Sequence, residues 1–259
     1  MKLTVLGGSA AGPNPGQGCS GYLVESGPTQ VVMDLGPGTF PELRRHVDYR
    51  AIDGVVVSHC HLDHFLDVLT LRYALAYNPV PAQRRVPLWL PPGGGALLDR
   101  LAGAISDAPE GGEFLSVFDV REYEPDALLK IGELEFRFHP TVHYVPCWAM
   151  RISNGVDDDL FYTADTGPAA NLASAAAGSD VVVAEGTATD GSHESYASRG
   201  HMTPAEAGAL ARDAGATTLV LSHLWAENDP FRSVREASAA FGGPVELATR
   251  GLSVSWRTD

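Results

Sequence analysis

The sequence predicts an α/β fold in a single domain spanning residues 1–259, and three observations carry that prediction. Short β-rich runs alternate with helical stretches along the whole length. Several of those runs are unbroken Val/Leu/Ile, the pattern of strands buried on both faces. Polar, metal-binding side chains recur just past the ends of such runs, where open α/β sheets place their sites.

Taken in order, strands are expected at Lys2–Leu6, Gly21–Glu25, Gln30–Asp34 and Gly54–Val57. Further strands are expected at Glu133–Phe138, Ala149–Ile152, Leu160–Thr163, Val181–Ala184 and Thr218–Leu221. Helices are expected at Pro41–Val47, Phe65–Ala76, Gly95–Ser106 and Ala169–Ala176. The best-signalled helix follows Thr203-Pro204-Ala205-Glu206, a capping box with proline at the first helical position, and runs to Ala214. Asp229-Pro230 opens another, which runs to about Ala240 and stops at Gly242-Gly243. Pro/Gly clusters at Gly7–Gly18, Pro87–Gly95 and Ala108–Gly112 read as loops. The first follows a strand but lacks G-K-[ST], and Pro13 and Pro15 oppose a helix there, so it reads as a structural turn.

Composition bounds the function. With 44% apolar residues the chain can bury a full core. A net charge of −14 argues against a protein whose main business is gripping a polyanion. Cys19, Cys60 and Cys147 are sparse and odd in number, which favours a reducing compartment over a disulfide framework. No window approaches the roughly 18 apolar residues of a membrane span. The only apolar run near the start, Leu3–Leu6, is shorter than a signal-peptide core of about 7–15 residues. A cytoplasmic protein is therefore expected.

The strongest chemical feature is Ser58-His59-Cys60-His61-Leu62-Asp63-His64, directly after the strand Gly54–Val57. Three imidazoles and a carboxylate at this spacing read as a metal site. The strand-then-ligand pattern recurs at Asp165 after Leu160–Thr163, at Glu185 after Val181–Ala184 and at His223 after Thr218–Leu221. A lone Asp or His after a strand is usually a turn residue; here the repetition carries the argument. Cys60 reads as a buried bystander, His139 as strand-end packing, and His46 and His193 as surface residues. Tyr144, Pro146, Cys147 and Trp148 read as residues that shape a substrate pocket.

His59-x-His61-x-Asp63-His64, together with His143, Asp165 and His223, resembles the metallo-β-lactamase superfamily across nearly the whole chain. The resemblance implies a four-layer αββα sandwich with its site at the edge between two sheets. It implies that His59, His61 and His143 hold one metal, that Asp63, His64 and His223 hold a second, and that Asp165 bridges them. Asp67, where lactonase-like members carry Gly-Gly, and Gly200-His201-Met202-Thr203 resemble the ribonuclease Z and small phosphodiesterase branch. In that branch a histidine in the place of His201, partnered by a glutamate in the place of Glu185, acts on the scissile phosphate and leaving oxygen. The long basic arm of ribonuclease Z is missing: only 22 residues separate His143 from Asp165, enough for two strands and the turn Asn154-Gly155. Asp157-Asp158-Asp159 in that gap would repel phosphate.

The expected activity is thus a binuclear hydrolase acting on small cyclic or nucleotide-like phosphodiesters. Two metals about 3.5–4 Å apart would convert a bridging water to hydroxide and polarise a phosphoryl oxygen. Asp63, His201 and Glu185 are the expected catalytic residues. Zinc suits the His-rich donor set, and manganese or iron is compatible. Expected partners are a small phosphodiester and, compatibly with the sequence, a second copy of the chain; nucleic acid and membrane are disfavoured. The competing readings are an ester, lactone or thioester hydrolase, a tRNA 3′-processing enzyme, and a non-catalytic carrier.

Overall fold

A computed structural model describes residues 1–106, 114–156, 159–189 and 194–255. Two seven-stranded sheets face each other. The first contains β1 (Lys2–Gly7), β2 (Gly21–Ser26), β3 (Thr29–Leu35), β4 (Gly54–Val56), β5 (Val86–Leu90) and β6 (Phe118–Glu122). The second contains β7 (Leu129–Ile131), β8 (Leu134–Pro140), β9 (Trp148–Ser153), β10 (Asp159–Tyr162), β11 (Val181–Glu185), β12 (Thr218–Ser222) and β13 (Val245–Leu247). The last strand, β14 (Ser253–Ser255), returns to pair antiparallel with β1 at the edge of the first sheet.

Each sheet is antiparallel in one half and parallel in the other. β1–β2–β3 is a meander, and β3, β4, β5 and β6 then run parallel. In the second sheet β7–β8–β9–β10 is antiparallel, and β10, β11, β12 and β13 run parallel. Parallel strands deliver all their carboxyl ends to one rim, and here both sheets do so on the side that holds the histidines.

The period-2 alternation of the strands sorts their apolar residues into layers. Leu3, Val5, Tyr22, Val24, Val31 and Met33 point inward and meet Leu134, Phe136, Met150, Ile152, Leu160 and Val183 of the other sheet. Leu6, Leu23, Val32 and Leu35 point outward against α1 (Phe40–His46), α2 (Leu62–Phe65), α3 (Asp67–Tyr77) and α4 (Gly94–Ile105). On the far side, Phe161, Val182, Leu219 and Leu221 pack against α5 (Ala173–Ala176), α6 (Pro204–Ala214) and α7 (Pro230–Phe241). The layers are therefore α, β, β, α, as the sequence led us to expect.

Several local expectations are corrected. Of the loop expected over Pro87–Gly95, Pro87–Leu90 lies in β5 and Gly94 opens α4; Pro87 is tolerated because the β5 ladder to β4 begins one residue later at Leu88 and Trp89. The helix expected over Phe65–Ala76 is two helices meeting at Leu66. That expected over Ala169–Ala176 is a 3-10 turn at Pro168–Ala170 followed by the four-residue α5. The hairpin of β9 and β10 does fill the short interval between His143 and Asp165. The capping box at Thr203 is present, with Glu206 N–H donating to Thr203 Oγ1 and Thr203 N–H to Glu206. His46 is exposed and faces Glu42. Ala108–Gly112, Asp157, Asp158 and His193 lie outside the described residues. Among those described, no helix is long and apolar enough to cross a membrane.

Candidate metal centre

Five parallel strands end on one rim and each contributes a polar side chain there: β3 gives Asp34, β4 leads into His59–His64, β10 into Asp165, β11 ends on Glu185 and β12 leads into His223. The β11–β12 register sets Glu185 opposite Ser222, one residue short of His223. Asp34, Ala164 and His223 all take positive φ, at 54°, 49° and 56°. A left-handed residue at a strand exit turns the chain sharply, and non-glycine residues hold it only where surrounding contacts impose it. Gly36 is required on packing grounds, because a Cβ there would collide with the Asp63 carbonyl.

Two groups of donor atoms result, each with its members within 4.8 Å of one another: His59, His61, His143 and Asp165; and Asp63, His64, Asp165 and His223. In the first, His61 Nδ1 lies 3.0 Å from His143 Nε2. Asp165 Oδ2 lies 3.7 Å from both His59 Nε2 and His143 Nε2. In the second, His223 Nε2 is 3.1 Å from Asp63 Oδ2 and 3.4 Å from His64 Nε2, while Asp165 Oδ1 is 3.3 Å from His64 Nε2. Asp165 is the member common to both groups. Every residue expected to bind metal is brought to this one place.

Whether these residues suit a cation is decided by which ring nitrogens remain available. His64 Nδ1 is 2.8 Å from Asp34 Oδ2 and donates to it. His143 Nδ1 donates to the Gly200 carbonyl at 2.9 Å. Thr187 Oγ1 donates to the His223 carbonyl, so it accepts from His223 Nδ1 at 2.6 Å. Ser58 Oγ donates to Asp34 Oδ2, so it accepts from His59 Nδ1 at 3.0 Å. In each ring Nδ1 bonds outward and Nε2 faces the cluster. Burial opposes a charge on His64, but Asp165 and Asp34 outweigh it and hold that imidazolium well above its usual range, so a cation at the cluster would displace an Nε2 proton. His59 Nε2 is buried and has no hydrogen-bond partner among the described residues, a role a cation would fill. The residues fit divalent metal.

The charges agree. Burial, reinforced by His64, pushes the His59 imidazolium well below its usual range, so the ring is a neutral donor. Burial opposes ionisation of Asp165, but His223 and His64 outweigh it and hold the carboxyl well below the usual range. Asp63 is likewise disfavoured by burial and is brought down to about 2 by the hydrogen bond from His223 and the field of His64.

Beside the second group, Glu185, His201 and His223 form a third. His201 Nδ1 lies 2.9 Å from Glu185 Oε1, which also accepts from Thr166 N–H at 2.8 Å. Burial lowers the His201 imidazolium, yet the Glu185 carboxylate more than reverses this and leaves it pushed up to about 9.

A family model for the beta-lactamase superfamily domain matches residues 29–224. The chain belongs to the beta-lactamase superfamily. The probable metallo-hydrolase YhfI of Bacillus subtilis is 31% identical over 97% of this chain and 98% of its own. The solved structure of YhfI, described as a metallo-beta-lactamase fold protein, superposes with a TM-score of 0.84 over 98% of both chains at 26% identity. A ribonuclease Z of Myxococcus xanthus is 26% identical over 98% of this chain and 97% of its own. A diphosphatase of the PhnP family shares the fold, with a TM-score of 0.73 over 98% of this chain and 96% of that one at 17% identity. The superfamily member described here is a metal-dependent hydrolase of the metallo-β-lactamase fold.

Other expected residues fall elsewhere. Asp67 is buried and belongs to none of the donor groups: it accepts from Phe40 N–H at 2.9 Å, at the first residue of α1. Cys147 is buried in the core between the sheets, with Sγ 3.3 Å from the Asp165 carbonyl, and so does not line a pocket. Cys60 is half-buried, and all three cysteines are free. In the Gly7–Gly18 loop, several backbone N–H groups already have partners within the protein. Its Gly8 and Ser9 N–H groups bond the Gly18 carbonyl, and Ala11 N–H donates to Asp63 Oδ2 at 2.9 Å. Sequence reasoning missed Asp34, Ser58 and Thr187, which set the ring protons. Asp34 ends a strand run as Asp165 does, and that pattern could have revealed it.

Proposed function

We propose that this hydrolase is a binuclear phosphodiesterase acting on small phosphodiesters. His59, His61 and His143 would hold one cation, Asp63, His64 and His223 a second, and Asp165 both. Zinc fits neutral imidazoles joined by carboxylates, and manganese or iron would also be accommodated. When bound, the cations supply Lewis acidity toward the phosphoryl oxygens and activate water.

The observation that carries the phosphodiester reading is the His201–Glu185 pair, 2.9 Å apart and directly beside the second donor group. Cleavage of a phosphodiester leaves negative charge on the departing oxygen. His201 holds a proton at neutral pH, and with its Nδ1 fixed on Glu185, Nε2 is the nitrogen that would deliver it. Glu185 orients the ring and stabilises the imidazolium, while Thr166 N–H fixes the carboxylate in turn. Protonating a leaving group in this way is worth about 10²–10⁴-fold. The names of a sequence relative, ribonuclease Z, and a structural neighbour, a diphosphatase, point to phosphoryl chemistry in those proteins. The short β9–β10 hairpin, where a long clamp would otherwise lie, favours small substrates over tRNA.

The test is to assay metal-loaded enzyme on an alkyl phosphodiester, bis(p-nitrophenyl) phosphate and a lactone. Wild type is expected to cleave both phosphodiesters. His201→Ala should keep its metal and lose about 10²–10⁴ in kcat on the alkyl ester, and much less on the p-nitrophenyl ester, which leaves without help. Lactone turnover without phosphodiester turnover would reject the reading.

A further inference from the structure

We propose that Tyr144 is a stacking platform that positions a planar heteroaromatic group of the substrate, a nucleobase by chemical class, at the His201 end of the site. The proposal rests on the phosphodiester reading and specifies which phosphodiesters the site takes. Tyr144 directly follows His143, and its ring centroid lies 5.1 Å from that of His143 and 5.7 Å from that of His201. A group resting on this ring is therefore next to the residue assigned to the leaving oxygen. In a cyclic nucleotide the base and the leaving oxygen belong to the same sugar, so the two needs coincide.

Tyr144 is 55% exposed, yet it is held in one place. Its hydroxyl donates to Glu194, lying 2.8 and 2.7 Å from the two carboxylate oxygens. One side of the ring rests on Gly200, where a Cβ would approach Tyr144 Cε2 to 2.6 Å. Glycine at 200 thus lets the ring lie against the backbone that carries His201. A tyrosine anchored at its hydroxyl, set against Gly200, His143 and His201 and still more than half exposed has already lost the rotamer freedom that stacking would otherwise cost.

Exposed apolar side chains also flank expected metal ligands in the sequence, and apart from His201 no free cation is placed beside the ring among the described residues. Leu62, between His61 and Asp63, is 53% exposed, and Trp225, two residues past His223, lies against Gly12 and is 36% exposed. The neighbouring arginine, Arg199, is paired with Glu206, and the charge beside the platform is the Glu194 carboxylate. Beyond the phosphate itself, the Tyr144 ring would recognise a substrate through its π-face.

The experiment compares a 3′,5′-cyclic nucleoside phosphate with the same cyclic phosphate of abasic 1-deoxyribose, using metal-loaded enzyme. Calorimetry on the nucleoside monophosphate product provides a second readout. Base–aromatic stacking gives about 5- to 150-fold per base, so wild type should prefer the base-bearing substrate by a factor in that range. Tyr144→Leu should collapse the ratio toward one, chiefly through KM, and weaken product binding by a similar factor. Tyr144→Phe should restore most of both. Retention of the full preference and of product affinity by Tyr144→Leu would overturn the proposal. If neither cyclic phosphate is cleaved by wild type, the phosphodiester reading fails, and product affinity still decides on Tyr144: unchanged binding in Tyr144→Leu rejects it, weakened binding supports it.

Discussion

Asp34 accepts from Ser58 N–H at 2.7 Å, from Tyr162 Oη at 2.7 Å and from His64 Nδ1 at 2.8 Å, all in the buried interior. It touches no expected ligand atom, yet it fixes one ring directly and a second through Ser58. Asp34→Asn should therefore lower metal affinity by about 10- to 100-fold while the chain still folds, measurable by competition with a chromogenic chelator. Unchanged affinity would show that His64 and His59 are oriented without it. Glu185→Gln probes the other carboxylate. The Glu185 charge raises the His201 pKa, so the protonated form persists through neutral pH and is lost as pH rises toward about 9. Removing that charge lowers the pKa, and the alkaline limb of kcat for a poor leaving group should move to lower pH. A limb that stays in place would separate Glu185 from His201. At this scale the sequence was explicit where several ligands crowd into Ser58–His64 and silent where one carboxylate acts through another residue. Asp67 illustrates the difference, since the same residue type in a plausible place instead accepts from Phe40 N–H at the first residue of α1.

Strands declared themselves by unbroken Val and Leu: β3, β4, β11 and β12 are buried on both faces and were legible as such. The strands that went unread are edge or near-edge pieces. β6 is buried at Phe118 and exposed from Val120 onward, and β13 and β14 span three residues each, too few to show a period. Such segments become strands because a neighbour offers an open ladder, which is tertiary information. Among the helices, α6 was legible through its capping box, and it also carries function because it begins three residues after His201, with Thr203 as its cap. Thr203→Ala should destabilise the protein by about 0.5–2 kcal/mol in chemical denaturation, since it strips the cap from that end. It should also slow turnover by displacing His201, with metal content intact. An unaffected midpoint would mean that α6 is held by its packing alone.

For the molecule as a whole, the αββα order follows from one fact of patterning: both sheets bury two faces, and the helices must lie outside. The rim where both sets of parallel strands end then collects side chains more than a hundred residues apart, such as Asp63 and His223. That convergence was readable only as a repeated grammar of strand followed by ligand, and its geometry was not. A site holding Asp34, Asp63 and Asp165 within a protein of net charge −14 is poised for cations. Chelation should consequently lower the thermal midpoint and restoration of metal should recover it, because a ligand bound at 100 times its Kd adds about 2.7 kcal/mol to stability. A midpoint indifferent to chelator would deny that the cluster binds metal in the folded state. The most direct test of the central claim is elemental analysis of metal-supplemented protein, wild type beside Asp165→Ala. If the seven residues form two sites joined by Asp165, wild type should contain about two divalent ions per chain and the variant distinctly fewer. One ion or none in wild type, or full occupancy in Asp165→Ala, would contradict the binuclear account.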